Sequence, residues 1–399
     1  MGKFNKGGYL GGFDQLRAPD APTIGAATQG DTEISVAFTA AANAGSGTVS
    51  SFVGTGVDSS GNSFGASSSS SPVTVTGLTN DTQYTFSVIA ISEFGTSPSS
   101  ATVTGTPNPL SRGLFGGGTL YGNADNAIKY ITIPTTGDVT DFGDLAQERR
   151  QTSSVSSATR GVWIAGNTNN AMNVIEYVTI ASTGNGTDFG DTTDTWKELS
   201  ACGSATRGIA GGGYRSSYVN IMEYITIANT GNSTDFGDLT SARKDPSATS
   251  SPTRGVWFGG NSGSRVNIMD YVTISSTGNA TDFGDTSAAK DRSAACASNT
   301  RGITGGGNTT GGDINVMEFI TIGSTGNTTD FGDLIDTRRE MAATSNAVRG
   351  VFFGGVTGGS GNVIQYVTIA STGDASDFGD LDANRQQAAA CSDAHGGIS

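Results

Sequence analysis

The pair Arg-Gly recurs at Arg112, Arg160, Arg207, Arg254, Arg301 and Arg349, at intervals of 47 or 48 residues. A fixed period of this length confines the region to an array of like units, either a solenoid or a propeller. Each unit also carries Asp-Phe-Gly-Asp. "STGNATDFGD" (Ser276–Asp285) has near-copies at Pro134–Asp144, Ser182–Asp191, Asn229–Asp238, Ser324–Asp333 and Ser371–Asp380. One unit indicates the architecture. "RGVWFGG" (Arg254–Gly260) reads as a strand ending in a Gly pair, and "VNIMDYVTI" (Val266–Ile274) as an alternating strand. "STGNATDFGD" supplies a turn and a short strand, and "DRSAACASNT" (Asp291–Thr300) a small-residue strand leading to the next Arg-Gly. Four strands per unit predict one propeller blade each.

The units alternate. The odd ones open "GLFGGG", "GIAGGG" and "GITGGG", the even ones "GVWIAG", "GVWFGG" and "GVFFGG". Cys202 and Cys296 lie five residues before the arginines of units three and five. Cys391 follows unit six, so by the same rule its strand precedes unit one. This predicts that a C-terminal strand, about Gln386–Ala394, pairs with "RGLFGGG" and closes a six-bladed propeller, removing open edges.

Residues 19–107 read as a β-sandwich, with alternation in "TEISVAF" (Thr32–Phe38) and "QYTFSVIAI" (Gln83–Ile91). "VTGLTNDTQYTFSVIAISEFGTSPSS" (Val75–Ser100) resembles the end of a fibronectin type III domain. Leu78 and Tyr84 match that family's tyrosine corner. Its usual second-strand Trp is absent, and Phe38 stands in for it. Residues 108–399, the propeller, are similar to kelch repeats. The family's Gly pair matches Gly259–Gly260, Gly305–Gly306 and Gly354–Gly355, with Ala165–Gly166 in the second unit. Its third-strand aromatic matches Tyr130, Tyr177, Tyr224, Tyr271, Phe319 and Tyr366, and its basic residue Arg149, Arg243, Lys290, Arg338 and Arg385, a series that Trp196 interrupts. The fold class is therefore expected to be all-β, a sandwich followed by a kelch-like propeller. Residues 1–18 form a Gly-rich arm with Phe4, Tyr9, Leu10 and Phe13, read either as a tail or as an anchor that orders on a partner.

Several function classes are disfavoured. The net charge of −14 makes nucleic acid a poor partner. No apolar run approaches the ~18 residues of a membrane span, and "MGKFNKGGYLGG" lacks a secretory core. Three cysteines do not make a disulfide framework. Their counterparts Val155, Thr249 and Thr344 are similar in size, which favours packing over soft-metal binding. His395 is the only histidine, so neither a Ser-His-Asp arrangement nor a His-based copper or zinc site is expected. The acidic repeat offers Asn279, Asp282 and Asp285 as calcium-type oxygens, but has no EF-hand spacing. "STDFG" (Ser233–Gly237) is similar to the sialidase Asp-box, itself a structural turn. A turn, with Asp and Asn side chains bonding nearby backbone N–H groups and Phe buried between blades, is the favoured reading. No cofactor or metal is expected.

The "xTRG" links and "STGN" turns hardly vary among units, whereas the two-to-three loops and four-to-one links do. All of the variation falls on one face of the expected propeller, where recognition can be built. The chain joins the propeller on the uniform face, so arm and sandwich would hold it from behind. Tyr121, Trp196, Tyr214, Tyr218, Arg265 and Arg338 are the candidate exposed anchors, aromatic and basic residues being frequent interface hot spots. The overall style resembles marine bacteriophage structural proteins. That resemblance implies a non-enzymatic virion component, a tail fibre or decoration protein. It would sit on the virion exterior, touch other virion proteins through the arm, and bind a host-surface glycan or protein through the propeller. A bacterial surface adhesin or lectin, and a lyase or glycosidase using propeller-face residues, stay open as alternatives.

Overall fold

The computed structural model describes residues 16–30, 32–80, 82–107, 111–356, 358 and 361–398. Among them every regular element is a strand, and no helix is long and apolar enough to cross a membrane. The chain divides into two compact units, Met1–Leu110 and Ser111–Ser399. The expected N-terminal arm falls almost wholly outside the described residues.

In the first unit, Thr23–Gly30, Glu33–Thr39 and Val73–Thr76 form one sheet. Val49–Asp58, Ser63–Ser68, Tyr84–Ser92, Gly95–Thr96 and Val103–Gly105 form the other. Strict alternation buries Ile34, Val36 and Phe38 from the first sheet, and Tyr84, Phe86, Val88 and Ala90 from the second. Phe38, the residue expected to replace the absent tryptophan, is buried and packs on Phe52 with ring centroids 4.5 Å apart. The Tyr84 hydroxyl accepts a hydrogen bond from Thr79 N at 3.0 Å beside buried Leu78, which is the expected corner.

The second unit contains five four-stranded antiparallel sheets and one of six strands, in unit one, where Arg385–Gln386 and Thr119–Leu120 add to the basic four; Asn308–Thr309 and Gly312–Asp313 form a small separate hairpin. The basic four strands of each follow the order read from the sequence. The C-terminal strand Ala389–Ser392 pairs with Arg112–Gly116 in the register Cys391↔Leu114. It is shorter than the expected 386–394. Gln387 takes a positive φ of 59°, and Arg385–Gln386 pairs separately with Thr119–Leu120. The positive-φ glycine pair of unit five is Gly306–Gly307, one residue beyond the pair matched in the sequence. In unit two Ala165 holds this left-handed conformation itself, at φ 53°.

The first strands of the sheets lie side by side around small side chains. Their hydroxyls tie neighbours together: Ser156 Oγ donates to Ser392 O, Ser250 Oγ to Gly203 O, and Ser345 Oγ to Ala297 O, at 2.6 to 2.7 Å. The Arg-Gly glycine follows from this closeness. A Cβ at Gly255 would come within 2.6 Å of Cys202 Sγ, and one at Gly350 within 2.6 Å of Cys296 Sγ. The cysteines therefore fill space against the glycine of the next sheet, as Val155 does against Gly208. Burial pushes the thiols of Cys296 and Cys391 up to about 12, and raises that of Cys202 as well, so all three stay protonated.

Asp-Phe-Gly-Asp is a clasp between sheets, not a local turn. The Phe283 carbonyl accepts from Gly326 N of the next unit at 2.7 Å, and Asp285 N donates to Asn327 Oδ1 at 3.0 Å. The same pair of bonds joins every successive sheet, and the sixth to the first through Gly137 and Asp138. A Cβ at Gly284 would come within 2.5 Å of Gly326 O, which is why the motif requires glycine at φ 140°. Each Phe is buried and meets the third-strand aromatic edge-on, as Phe283 meets Tyr271 at 5.9 Å. Burial of each ring stabilises by about 1.5–3 kcal/mol. The Arg-Gly arginine caps the stack. Arg254 lies 4.3 Å over Tyr271 and donates to Ile322 O of the next unit at 2.9 Å.

The C-terminal residues turn back across the end of the first strands where the Arg-Gly links lie. His395 Nε2 bonds Ser156 O at 3.1 Å, its Nδ1 accepts from Gly397 N at 3.0 Å, and Gly396 N donates to Ala297 O at 3.1 Å. Burial lowers the His395 pKa to about 4, so the ring is neutral at pH 7.

Gly284→Ala is expected to destabilise by about 2–3 kcal/mol, through a backbone clash and strained φ. At Gly278 an added Cβ meets nothing within 4 Å. Gly278→Ala carries the φ strain, at 156°, but no clash, and should therefore cost less than Gly284→Ala, about 1–2 kcal/mol. Chemical denaturation of the two variants measures the difference.

Candidate functional site

Two positions before the first strands stand Gln151, Glu198, Asp245, Arg292, Glu340 and Gln387, and each has φ between 52° and 59°. This shared conformation turns their backbones toward one another. Gln151 N donates to Gln387 O, Glu198 N to Gln151 O, Asp245 N to Glu198 O, Arg292 N to Asp245 O, Glu340 N to Arg292 O, and Gln387 N to Glu340 O. The cycle of six bonds, 2.8 to 3.2 Å long, rims a depression of about 80 Å³. Beneath it is a second cavity of about 130 Å³ whose lining includes Thr152, Ser153, Ser200, Ser247 and Ser293.

The rim side chains form a connected ionic network. Gln151 Nε2 donates to Glu198 Oε1 at 3.0 Å, and Gln387 Nε2 to Glu340 Oε2 at 2.9 Å. Arg292 bridges Asp245 and Glu340 at 3.4 and 2.9 Å, while Lys244 lies 2.8 Å from Glu198 and 3.5 Å from Asp245. Burial, and after it the charge on Glu198, pushes Asp245 up to about 6, against the opposing pull of Arg292 and Lys244.

The two-to-three loops are fastened to this rim. Backbone bridges join Arg150 to Asn167, Lys197 to Tyr214, Lys244 to Asn261, Asp291 to Asn308, and Arg339 to Val356. The variable loops therefore stand around one mouth, at the end of the first strands opposite the C-terminal residues.

The six candidate residues separate into two groups. Tyr121 is 86% exposed at a hairpin tip. Tyr214 and Tyr218, both partly exposed, meet edge-on with centroids 6.0 Å apart, and Lys197 Nζ lies 5.3 Å from the Tyr214 ring centre. Arg265 is part-buried, with Nε donating to Asp291 Oδ1 at 3.1 Å. Trp196 and Arg338 are not exposed anchors: their exposures are 0% and 1%. Both occupy a buried slot between sheets that in three of the six units holds an ion pair: Arg149 with Glu176 at 2.7 Å, Arg243 with Asp270 at 2.8 Å, and Lys290 with Glu318 at 2.6 Å.

Where one slot partner changes, another residue compensates. Trp196 replaces the base and donates from Nε1 to Gly212 O at 2.7 Å; Arg215 stacks 4.7 Å above it and pairs with Glu223. Opposite Arg338 the next sheet carries Gln365, and Asp336 supplies the carboxylate. Opposite Arg385 it carries Lys129, and the two cations share Asp382, with Asp125 also on Arg385. The sequence does contain the signal. The third-strand residue before the aromatic runs Lys, Glu, Glu, Asp, Glu, Gln in register with the basic series.

The profile of the fibronectin type III domain matches residues 19–106. Residues 19–106 are a fibronectin type III domain. The fibronectin type III match ends before the repeated region begins, so the mouth lies outside it. No curated protein sequence matches the chain.

Two outcomes test this site. Glu176→Ala strands a buried arginine and should cost about 3–5 kcal/mol in denaturant unfolding, while Arg149→Met with Glu176→Leu should be close to neutral. NMR titration should place the Asp245 carboxyl near 6 in place of its ordinary 3.8, and Glu198→Gln should lower it. Because the folded value is raised, this group's contribution to stability is largest below about pH 4 and declines as pH rises through 6.

Proposed function

We propose that the second unit is a six-bladed, kelch-like propeller closed by its C-terminal strand. We read the protein as a non-enzymatic display component of a bacteriophage particle, a tail fibre or decoration protein, with the propeller as its recognition head. The cyclic hydrogen bonding at the mouth and the clasp between the sixth and first sheets support the propeller reading.

The difference between the two ends of the second unit carries the functional reading. At one end the links and turns are nearly identical from unit to unit, and the C-terminal residues cover the first strands. At the other, loops of six different sequences surround an ionic mouth and present Tyr121, Tyr214, Tyr218 and Arg265. A scaffold repeated six times, with its differences gathered at one mouth, suits binding. The fibronectin type III domain fits a spacer within such a display protein.

Mass spectrometry of purified virions is expected to detect the chain, and the isolated protein is expected to bind host cells. Recovery in bacterial cell-surface fractions, without any in virions, would favour an adhesin over a phage component. Recovery only in the soluble host lysate would end the display reading.

A further inference from the structure

We propose that the mouth binds an uncharged oligosaccharide, seated over the rim of Gln151, Glu198, Asp245, Arg292, Glu340 and Gln387 and stacked against Tyr214 and Tyr218. The proposal rests on the reading of this end as the recognition face, and it names the ligand class.

Charge argues for the class. Lysine and arginine side chains in 111–398 fall into three sets. The Arg-Gly arginines cap aromatic stacks, and a second set occupies the buried slots. The third set, Arg150, Lys197, Lys244, Arg265, Arg292 and Arg339, lies entirely on the links and loops of the mouth. Five of these six have a carboxylate within 4 Å: Lys197 and Lys244 on Glu198, Arg265 on Asp291, Arg292 on Asp245 and Glu340, and Arg339 on Asp313. Arg150 is hydrogen-bonded to Asn167 Oδ1 and the Gly122 carbonyl. An anionic ligand would have to displace these carboxylates and approach a chain of net charge −14. A cationic ligand would have to displace Arg292 and Lys244 from theirs.

An uncharged polyol needs neither exchange. Paired carboxylates keep spare lone pairs, and paired guanidinium and amide groups keep spare N–H donors. Sugar hydroxyls can take up both. Two partly exposed tyrosines beside the rim supply aromatic surface for the apolar face of a pyranose at small conformational cost. Thr152, Ser153, Ser200, Ser247 and Ser293 line the cavity beneath the rim, a polar setting suited to water that bridges to such a ligand.

A printed array of neutral and acidic bacterial oligosaccharides, read with the full chain, tests the proposal, together with host-cell binding. The variants are Tyr214→Ala, Tyr218→Ala, Tyr218→Phe and the perimeter control Asp282→Ala, each checked for an unchanged melting temperature. Neutral glycans should bind, with little change on raising salt. Tyr218→Ala should weaken binding at least about tenfold. Tyr218→Phe and Asp282→Ala should retain it. Phe keeps the stacking ring, so if Tyr218→Ala fails to fold, comparison of Tyr214→Ala with wild type carries the same reading. Binding confined to acidic glycans and lost in high salt would overturn the ligand class but leave the recognition face standing. The same holds for cell binding that the tyrosine variants abolish while no glycan is bound. Cell binding that no mouth substitution alters would overturn both.

Discussion

The second unit depends on one contact, the clasp in which a Gly-Asn or Gly-Asp turn grips the Asp-Phe-Gly-Asp strand of the preceding sheet. Antiparallel sheets present unpaired backbone at their last strands, and such edges invite aggregation. Here the carbonyl of each motif Phe and the N–H of its second Asp are taken by the neighbour. The motif glycine lets the two backbones approach, and the Phe ring is buried under the third-strand aromatic and the arginine above it. One ten-residue segment thus satisfies an edge, fills a core and sets the distance between sheets.

That economy explains where variation is tolerated. Turns and Arg-Gly links are constrained twice, by their own sheet and by the next one. The buried ion-pair slots tolerate change only in compensated form, as at Trp196, Arg338 and Arg385. The rim residues share a backbone conformation but differ in side chain, because their inter-sheet bonds use only N–H and C=O groups. Their side chains are therefore free to differ, and they meet at one place.

Much of the architecture was legible in the sequence. The 47- or 48-residue period, the two-residue alternation within strands, and the odd-even placement of the cysteines led to four basic strands per unit and to the pairing of the C-terminal strand with Arg112–Gly116. Leu78 and Tyr84 were enough for the sandwich. The site was less legible. Aromatic and basic character identified Tyr121, Tyr214, Tyr218 and Arg265, but it also selected Trp196 and Arg338, which are buried against the next sheet and each donate to one of its carbonyls. Periodicity shows which residues are equivalent, not which are covered by a neighbour. The rim was missed for a related reason: it is defined by a positive φ at residues as different as Gln, Asp and Arg, and side-chain identity gives no hint of it.

The pairing of Ala389–Ser392 with Arg112–Gly116 also bears on how the protein is made. Within the second unit, the sheet that the ribosome starts first lacks one strand until the chain has run on from Gly116 to Ala389 and beyond. Contacts so distant in sequence form slowly. During that interval the Leu114 strand offers an open edge to any passing chain. Five sheets can assemble as they are synthesised, but the sixth waits, and a crowded cell making many copies at once would feel that delay as a hazard of mispairing between molecules.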